Sequence, residues 1–437
     1  MINKRLQKYA AYSKSFRGAP DGWHNIRSCN FLVGENSTGK SSFLQLLEIL
    51  DSREHLILMD ITGVVDGLDS PNDICSRISK SQEVTIGFML KRSAGPKEPS
   101  DGQNFGRMVT YRLKKGELLI DKVTILTGNR ILRIKKSNGD LPHRFESFTY
   151  LDSLTHTENA MRLEKIHFSS SRFKRTFDDD EHEYQDGNIY WLNALRAAIA
   201  KGSARRGGDF FPNSPPLNCL QYGPMRARTR RLYHGAMSRF SSSGEHIAYV
   251  LKDTLGNNSN LDDAINKFGR ESGLFDSISI SSVTTKVKDN PFALQIEKGS
   301  VTYYVDELGY GVGQILPIVA DVAFTGGNNG FSIQQPELHL HPRAQAALGD
   351  VFFESSSLGA TLIVETHSDF IIDRFRMKFK GSDGDNRAQI LYFDKTEEGR
   401  NIAVEIELFR DGNMSEEPEG FRSFFLNESI DKLEALL

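Results

Sequence analysis

The stretch CNFLVGENSTGKSSFLQLLEIL, residues 29–50, decides how the rest of the chain is read. Phe31, Leu32 and Val33 form an apolar run of the kind that builds a buried strand. Gly34-Glu35-Asn36-Ser37-Thr38-Gly39-Lys40-Ser41 follows and fits the spacing G-x-x-x-x-G-K-[ST], with Ser42 behind it. Phe43, Leu46, Leu47 and Leu50 then recur on one face of a helix. Strand, glycine loop and helix in that order are the context that makes the motif a phosphate-binding P-loop. Glycines let backbone N–H groups wrap a polyphosphate, and the start of the helix adds positive potential. In such a loop Lys40 reaches the β and γ phosphates of ATP and Ser41 is the Mg²⁺ ligand. Gly34, Asn36, Ser37, Thr38, Gly39 and Ser42 complete the expected nucleotide site.

The whole chain sets the frame. At 437 residues it is long enough for two or three domains, at about 150 residues each. A net charge of -3 gives no global attraction to nucleic acid, so any such contact needs a local patch. Cys29, Cys75 and Cys219 are odd in number and far apart, which argues against a disulfide framework and for a reducing compartment. No apolar run reaches the ~20 residues that span a bilayer, and the first residues lack the apolar centre of a signal peptide. A cytoplasmic protein without a membrane partner is expected.

Downstream, FSIQQPELHLHP (331–342) runs from an apolar strand into Gln334 and Gln335, where a nucleoside triphosphatase carries acids. ATLIVETHSDFIIDRFR (360–376) places a second buried parallel strand before Thr366-His367-Ser368. Ligand groups collect at such strand ends in α/β sheets. DELGYGVGQILPIVADVAF (306–324) holds a glycine signature ahead of both.

That order of P-loop, glycine signature, Walker B strand and strand ending in histidine resembles ABC-type ATPases. With YGPMRARTRRLY (222–233), SGEHIAYVL (243–251), QQPELHLHP, ETHSDFII and PEGF (418–421), the chain resembles head-only ABC/SMC-type ATPases of the overcoming-lysogenization-defect (OLD) type. That group includes ATPase subunits of the antiphage systems Septu and PARIS. The resemblance implies that Gly311, Gly313 and Gln314 belong to a signature touching the γ-phosphate of a neighbouring subunit's ATP. It makes His367 the switch histidine, and it places Gln334 and Gln335 at the Walker B acid and the catalytic glutamate. Two amides there imply slow hydrolysis, with Glu337 or Glu365 as the acids that remain nearby. Either the protein holds ATP as a slow switch, or position 334 carries a substitution that traps ATP. His339 and His341 alternate like a metal pair, but the resemblance favours a structural or subunit-contact role.

The expected fold is an α/β ABC-type P-loop ATPase head with an antiparallel β lobe and a helical insertion. The expected organisation is residues 1–67 for the N-terminal core, 68–150 for the β lobe, 151–290 for a mainly helical insertion and 291–437 for the C-terminal core. Alternating β-branched segments at 83–90 and 107–136 carry the β lobe. QILYFDKTEEGRNIAVEIELF (389–409) reads as a closing hairpin. About sixty residues follow residue 376, which are too few for a nuclease domain, so effector chemistry is expected on a separate chain. The expected function is an ATP-gated homo-oligomer, a dimer or a multiple of dimers, controlling a separate nuclease or toxin in antiphage defence. A nucleic acid or a phage protein would be its trigger, with Arg205, Arg206 and the acidic loop 177–187 as the contact region. The competing expectation is a RecF-like repair ATPase that binds DNA directly.

Overall fold

The computed structural model describes residues 6–65, 68, 70–76, 82–92, 103–127, 130–136, 143–149, 155–169, 175–176, 215–237, 239–282, 291–325, 329–383, 387–416, 418 and 420–421. The chain divides into two compact units. Met1–Ile26, Glu35–Asn218 and Phe393–Ala403 form the first, and Arg27–Gly34, Cys219–Tyr392 and Val404–Leu437 form the second.

The first unit is built on an antiparallel sheet. Its strands are β1 (Leu6–Lys14), β2 (Gly22–Ile26), β4 (Glu83–Arg92), β5 (Gln103–Lys114), β6 (Glu117–Thr127), β7 (Arg130–Lys136), β8 (His143–Thr149) and β9 (Arg175–Thr176). They lie in the order β2-β1-β4-β5-β6-β7-β8-β9. Side chains alternate across such a sheet, so each face can carry a helix layer. On one face Met89, Met108 and Leu126 pack with Ala160 and Leu163 of α4 (His156–Phe168), which a Thr155–Glu158 capping box starts. The other face carries α1 (Lys40–Asp51) and α2 (Arg53–Leu58), followed in the chain by α3 (Pro71–Ile74). There the fully buried Arg107 of β5 donates to the carbonyls of His55 and Leu56, each at 2.8 Å, and so closes the end of α2. Burial lowers the pKa of Arg107 to about 10, so the guanidinium stays charged.

The second unit is an α/β layer structure. Its main sheet runs β10-β14-β15-β3-β16-β17. The strands are β3 (Cys29–Gly34), β10 (Cys219–Tyr222), β14 (Gly330–Gln334), β15 (Thr361–Glu365), β16 (Ala388–Lys395) and β17 (Asn401–Leu408). β10, β14, β15 and β3 pair in parallel. A smaller antiparallel sheet holds β11 (Ser277–Ser282), β12 (Phe292–Lys298) and β13 (Val301–Tyr304). Around them stand α5 (Ile247–Thr254), α6 (Ser259–Ser272), α7 (Tyr310–Thr325), α8 (Pro342–Leu358) and α9 (Asp369–Phe379). Parallel strands are covered on both faces and so read as continuous apolar runs. Phe31, Phe331, Ile333, Leu362 and Val364 accordingly share a core with Ile315, Val319, Leu348, Phe352 and Phe375. A polar pair on β3 and β16 interrupts it. Gln389 Nε2 donates to Asn30 Oδ1 at 2.9 Å, and Asn30 Nδ2 donates to the Leu362 carbonyl at 2.8 Å, which pins the register of β3.

The α/β fold with an antiparallel β lobe is present as expected. The lobe recruits β1 and β2, which precede the P-loop. Within residues 151–290, read as mainly helical, the described residues also supply β10 to the main sheet and β11 to the small one. Arg205, Arg206 and the acidic loop 177–187 lie outside the described residues. Among the described residues no helix is long and apolar enough to cross a membrane.

Helix α1 is anchored through Phe43, whose fully buried ring meets His24 edge-on at 5.3 Å and Phe393 at 5.6 Å. Phe43→Ala is expected to cost about 3–5 kcal/mol through the cavity it leaves. Thermal melting together with amide exchange in α1 checks this; parental exchange in α1 would refute the anchoring role.

Candidate functional site

In the first unit, the loop entering α1 is shaped by backbone conformations that few residues adopt. Ser37 has φ +64 and Gly39 has φ +103. Gly39 is the N-cap of α1, offers no side chain to the first turn, and no acid stands there. The first-turn N–H groups are therefore suited to an anion, with no acid in that turn to compete for them. A Cβ at Gly39 would lie 2.0 Å from the Gly18 carbonyl oxygen, so only glycine fits. Asn401 Nδ2 donates to that same carbonyl at 2.6 Å and braces it. Lys40 is the first residue of α1 and is buried, and its Nζ donates to the Glu35 carbonyl at 2.7 Å. Thr38 Oγ1 donates to the same oxygen at 2.8 Å. Ser41 is exposed beside it. The hydroxyl of Ser41 and a phosphate would form an oxygen donor set, which suits a hard cation such as Mg²⁺.

In the second unit, the strand ends gather at one sheet edge. Gln334 of β14 is in register with Glu365 of β15, and Glu365 with Leu32 of β3, which ends at Gly34. The chain turns sharply after β14. Gln335 has φ +44, and its N–H donates to the Glu365 carbonyl at 2.8 Å. The carbonyl of Gln334 accepts from Arg226 Nη2 at 2.7 Å. Arg226 is buried, and its Nε and Nη1 find no hydrogen-bond partner among the described residues. Burial lowers its pKa to about 10, against the raising effect of Tyr222 and Glu337. Glu337 holds the turn after β15: its carboxylate accepts from Thr366 Oγ1 at 2.9 Å and from the His367 N–H at 2.7 Å. His367 itself is exposed.

A family described as "AAA domain, putative AbiEii toxin, Type IV TA system" matches residues 29–373. The chain belongs to this AAA-domain family. Solved structures that it resembles are heads of SMC proteins. One is an SMC head bound to the C-terminal winged-helix domain of ScpA, 11% identical, covering 92% of this chain and 98% of that one with a TM-score of 0.43. Another is the SMC head domain from Thermotoga maritima, 12% identical, covering 92% and 99% with a TM-score of 0.37. A third, from Pyrococcus yayanosii, is 8% identical, covering 92% and 97% with a TM-score of 0.42. Scores this low carry no argument of their own, and the fold rests on the strand order and the family match. No curated protein matches the chain.

In this AAA-domain protein the glycines of the signature pack closely within the chain. Gly311, Gly313 and Gln314 lie buried in the first turns of α7. A Cβ at Gly311 would meet the His339 carbonyl oxygen at 2.7 Å, and one at Gly313 would meet Thr229 Cγ2 at 2.7 Å. Gln314 Nε2 donates to the Arg226 carbonyl at 3.2 Å. The surface of the signature is its start, with Gly309 and Tyr310 exposed. His339 and His341 also have local work. His341 is the N-cap of α8, its Nδ1 accepting the Arg343 N–H at 3.3 Å, and the His339 ring stands perpendicular to Tyr310 at 5.0 Å. No cluster of three metal-ligating side chains exists among the described residues.

Sequence reasoning placed Arg226 in a motif without its partner and missed Gly18 and Asn401 as supports of Gly39. No local signal marks residues that far apart. Gly39→Ala is expected to abolish nucleotide binding, because the loop must open to clear the Gly18 carbonyl; unchanged affinity in a fluorescent-ATP titration would contradict it. Gly311→Ala is expected to lower the melting temperature, with an unchanged melt as the opposing result.

Proposed function

We propose that this chain is an ATP-binding, ATP-gated oligomeric scaffold that controls a separate nuclease or toxin in antiphage defence. The observation that carries the reading is a phosphate loop free of first-turn acids; by the motif resemblance Gln334 and Gln335 stand where such ATPases carry their acids. The loop is suited to hold a triphosphate: Lys40 would leave the Glu35 carbonyl for the β and γ phosphates, while the N–H groups of residues 37–41 cradle them. Mg²⁺, held through Ser41, would supply charge neutralisation at those oxygens. Gln335, at the expected place of the general base, is neutral and cannot take a proton from water. Loss of such a base typically costs ~10²–10⁴ in rate. Binding without prompt turnover is the property of a gate.

His367, exposed after β15 and held through its backbone by Glu337, is suited to sense the γ-phosphate. The exposed start of α7 at Gly309 and Tyr310 is the surface we assign to a second subunit, which would close the open side of the phosphate. ATP binding energy is then coupled to association. A separate effector docked on the assembly would be restrained or released according to differential affinity for the two states. The "putative AbiEii toxin, Type IV TA system" wording of the family is compatible with a defence role. The motif resemblance to the OLD type, including the Septu and PARIS subunits, points the same way.

Lys40→Ala is expected to abolish ATP binding, and unchanged affinity in calorimetry would sink the nucleotide reading. Gln334→Glu combined with Gln335→Glu is expected to raise turnover; fast hydrolysis by the parent protein would show that another group acts as base. For the biological role, phage-challenged cells expressing this chain with and without its neighbouring gene give the test. Protection by this chain alone would oppose effector control, and salt-sensitive DNA binding by the isolated protein would favour the RecF-like reading.

A further inference from the structure

We infer that Asn401 is a positioning residue for the nucleotide: its side-chain N–H, received by the Gly18 carbonyl, holds Gly39 in the conformation that aims the phosphate loop. The inference rests on the nucleotide-binding reading and adds to it a residue from far outside the motif. Asn401, Gly18 and Gly39 all belong to the first compact unit.

Three distant segments meet at Gly39. The first is the turn from β1 to β2, where Ser15 and Arg17 have φ +59 and +45 and the Ala19 N–H donates to the Phe16 carbonyl at 2.9 Å. That turn is pinned twice. The Arg17 N–H donates to the Ile74 carbonyl at 3.0 Å, and Arg17 Nη1 donates to Gln45 Oε1 of α1 at 2.9 Å. The second segment is the phosphate loop with the head of α1. A Cβ at Gly18 would lie 3.5 Å from Ser42 Oγ and 3.9 Å from Gly39 Cα. The third is the start of β17, where Asn401 Nδ2 would lie 3.1 Å from that Cβ and 3.0 Å from a Cβ at Gly39. The turn before it is closed by N–H donation from Thr396 to the Arg400 carbonyl and from Gly399 to the Thr396 carbonyl, each at 2.8 Å. Phe393 of β16 packs against Phe43 of α1. Asn401 therefore arrives on a hairpin that is itself seated on α1.

The chemistry at this point requires a donor. Asn401 Nδ2 stands 2.6 Å from the Gly18 carbonyl oxygen, and a second oxygen at that distance would repel it. Asn401 Oδ1 is buried and has no hydrogen-bond partner among the described residues. An unmet buried acceptor costs stability, so packing alone does not favour an amide here. The amide fixes the Gly18 carbonyl, and that carbonyl limits where Gly39 can move. The Gly39 carbonyl accepts the Phe43 N–H at 2.9 Å, the first bond of α1. The backbone at Gly39 therefore sets the direction in which the unpaired N–H groups at the head of α1 point. A loop ordered before its ligand arrives binds more tightly than one that must be ordered by it.

The test is calorimetric titration of the full chain with ATP and MgCl₂, well below its melting temperature, beside amide exchange of the nucleotide-free protein read by mass spectrometry. Asn401→Asp puts an oxygen where Nδ2 stands. It is expected to weaken ATP binding by about 10–100-fold, the range that loss of one buried hydrogen-bond partner spans. Exchange is expected to quicken in residues 36–42 and to stay parental in β5 and β6. Asn401→Ala removes the donor without adding charge and is expected to move both readouts the same way, by less; it decides the matter if Asn401→Asp does not fold. A merely structural role would lower the melting temperature and leave affinity and loop exchange unchanged. The inference is overturned if a folded variant binds ATP as the parent does, or if affinity falls while exchange in residues 36–42 stays parental. Failure of the parent to bind ATP strikes the nucleotide reading itself, whereas binding that needs Lys40 but ignores Asn401 strikes this inference alone.

Discussion

The parallel pairing of β14 with β15 and of β15 with β3 is the constraint on which the site depends. It brings Gln334, Glu365 and the exit of β3 to one edge of one sheet. A register slip of one residue would turn every side chain to the opposite face, so the chemistry at that edge is only as well defined as the pairing. The sequence enforces the register twice. Apolar residues fill both faces of the strands, and the buried Asn30–Gln389 pair gives β3 one position where its hydrogen bonds are met. The connection from β14 to β15 runs through α8, the crossover that parallel strands require.

At that edge, polar groups hold backbone more than they hold each other. Arg226 grips the Gln334 carbonyl, the Glu365 carbonyl receives the Gln335 N–H, and Glu337 receives the His367 N–H. Gln314 of the signature helix in turn donates to the Arg226 carbonyl. A displacement of α7 would therefore reach the end of β14 through Arg226. This gives a physical route by which a second subunit seated on the start of α7 would be felt at the amides. The signature glycines also pack closely, Gly311 on the His339 carbonyl and Gly313 on Thr229.

Much of this was legible in the sequence because it is local. The P-loop lies within one strand–loop–helix unit, and the β lobe within strands of strong alternation. The rest is non-local. β10 has four residues and pairs with β14 across more than a hundred positions of chain, so neither length nor periodicity announced it. The requirement for glycine at 39 comes from the carbonyl of Gly18, and the brace on that carbonyl comes from Asn401. His341 was visible as half of an alternating histidine pair, while its real partner is the N–H two residues on; Pro342 at the first helical position was the available signal. The register of Gln334 with Glu365 could not be read from motifs, since each is named by its neighbours in sequence and not by the strand beside it.

The central claim is that this chain holds ATP intact. The most direct measurement is the identity of the nucleotide that stays bound after the protein is incubated with MgCl₂ and ATP, separated from free nucleotide, denatured and analysed by chromatography. Mostly ATP is expected, retained through Lys40. Bound ADP in its place, formed as fast as ATP is taken up, would contradict it.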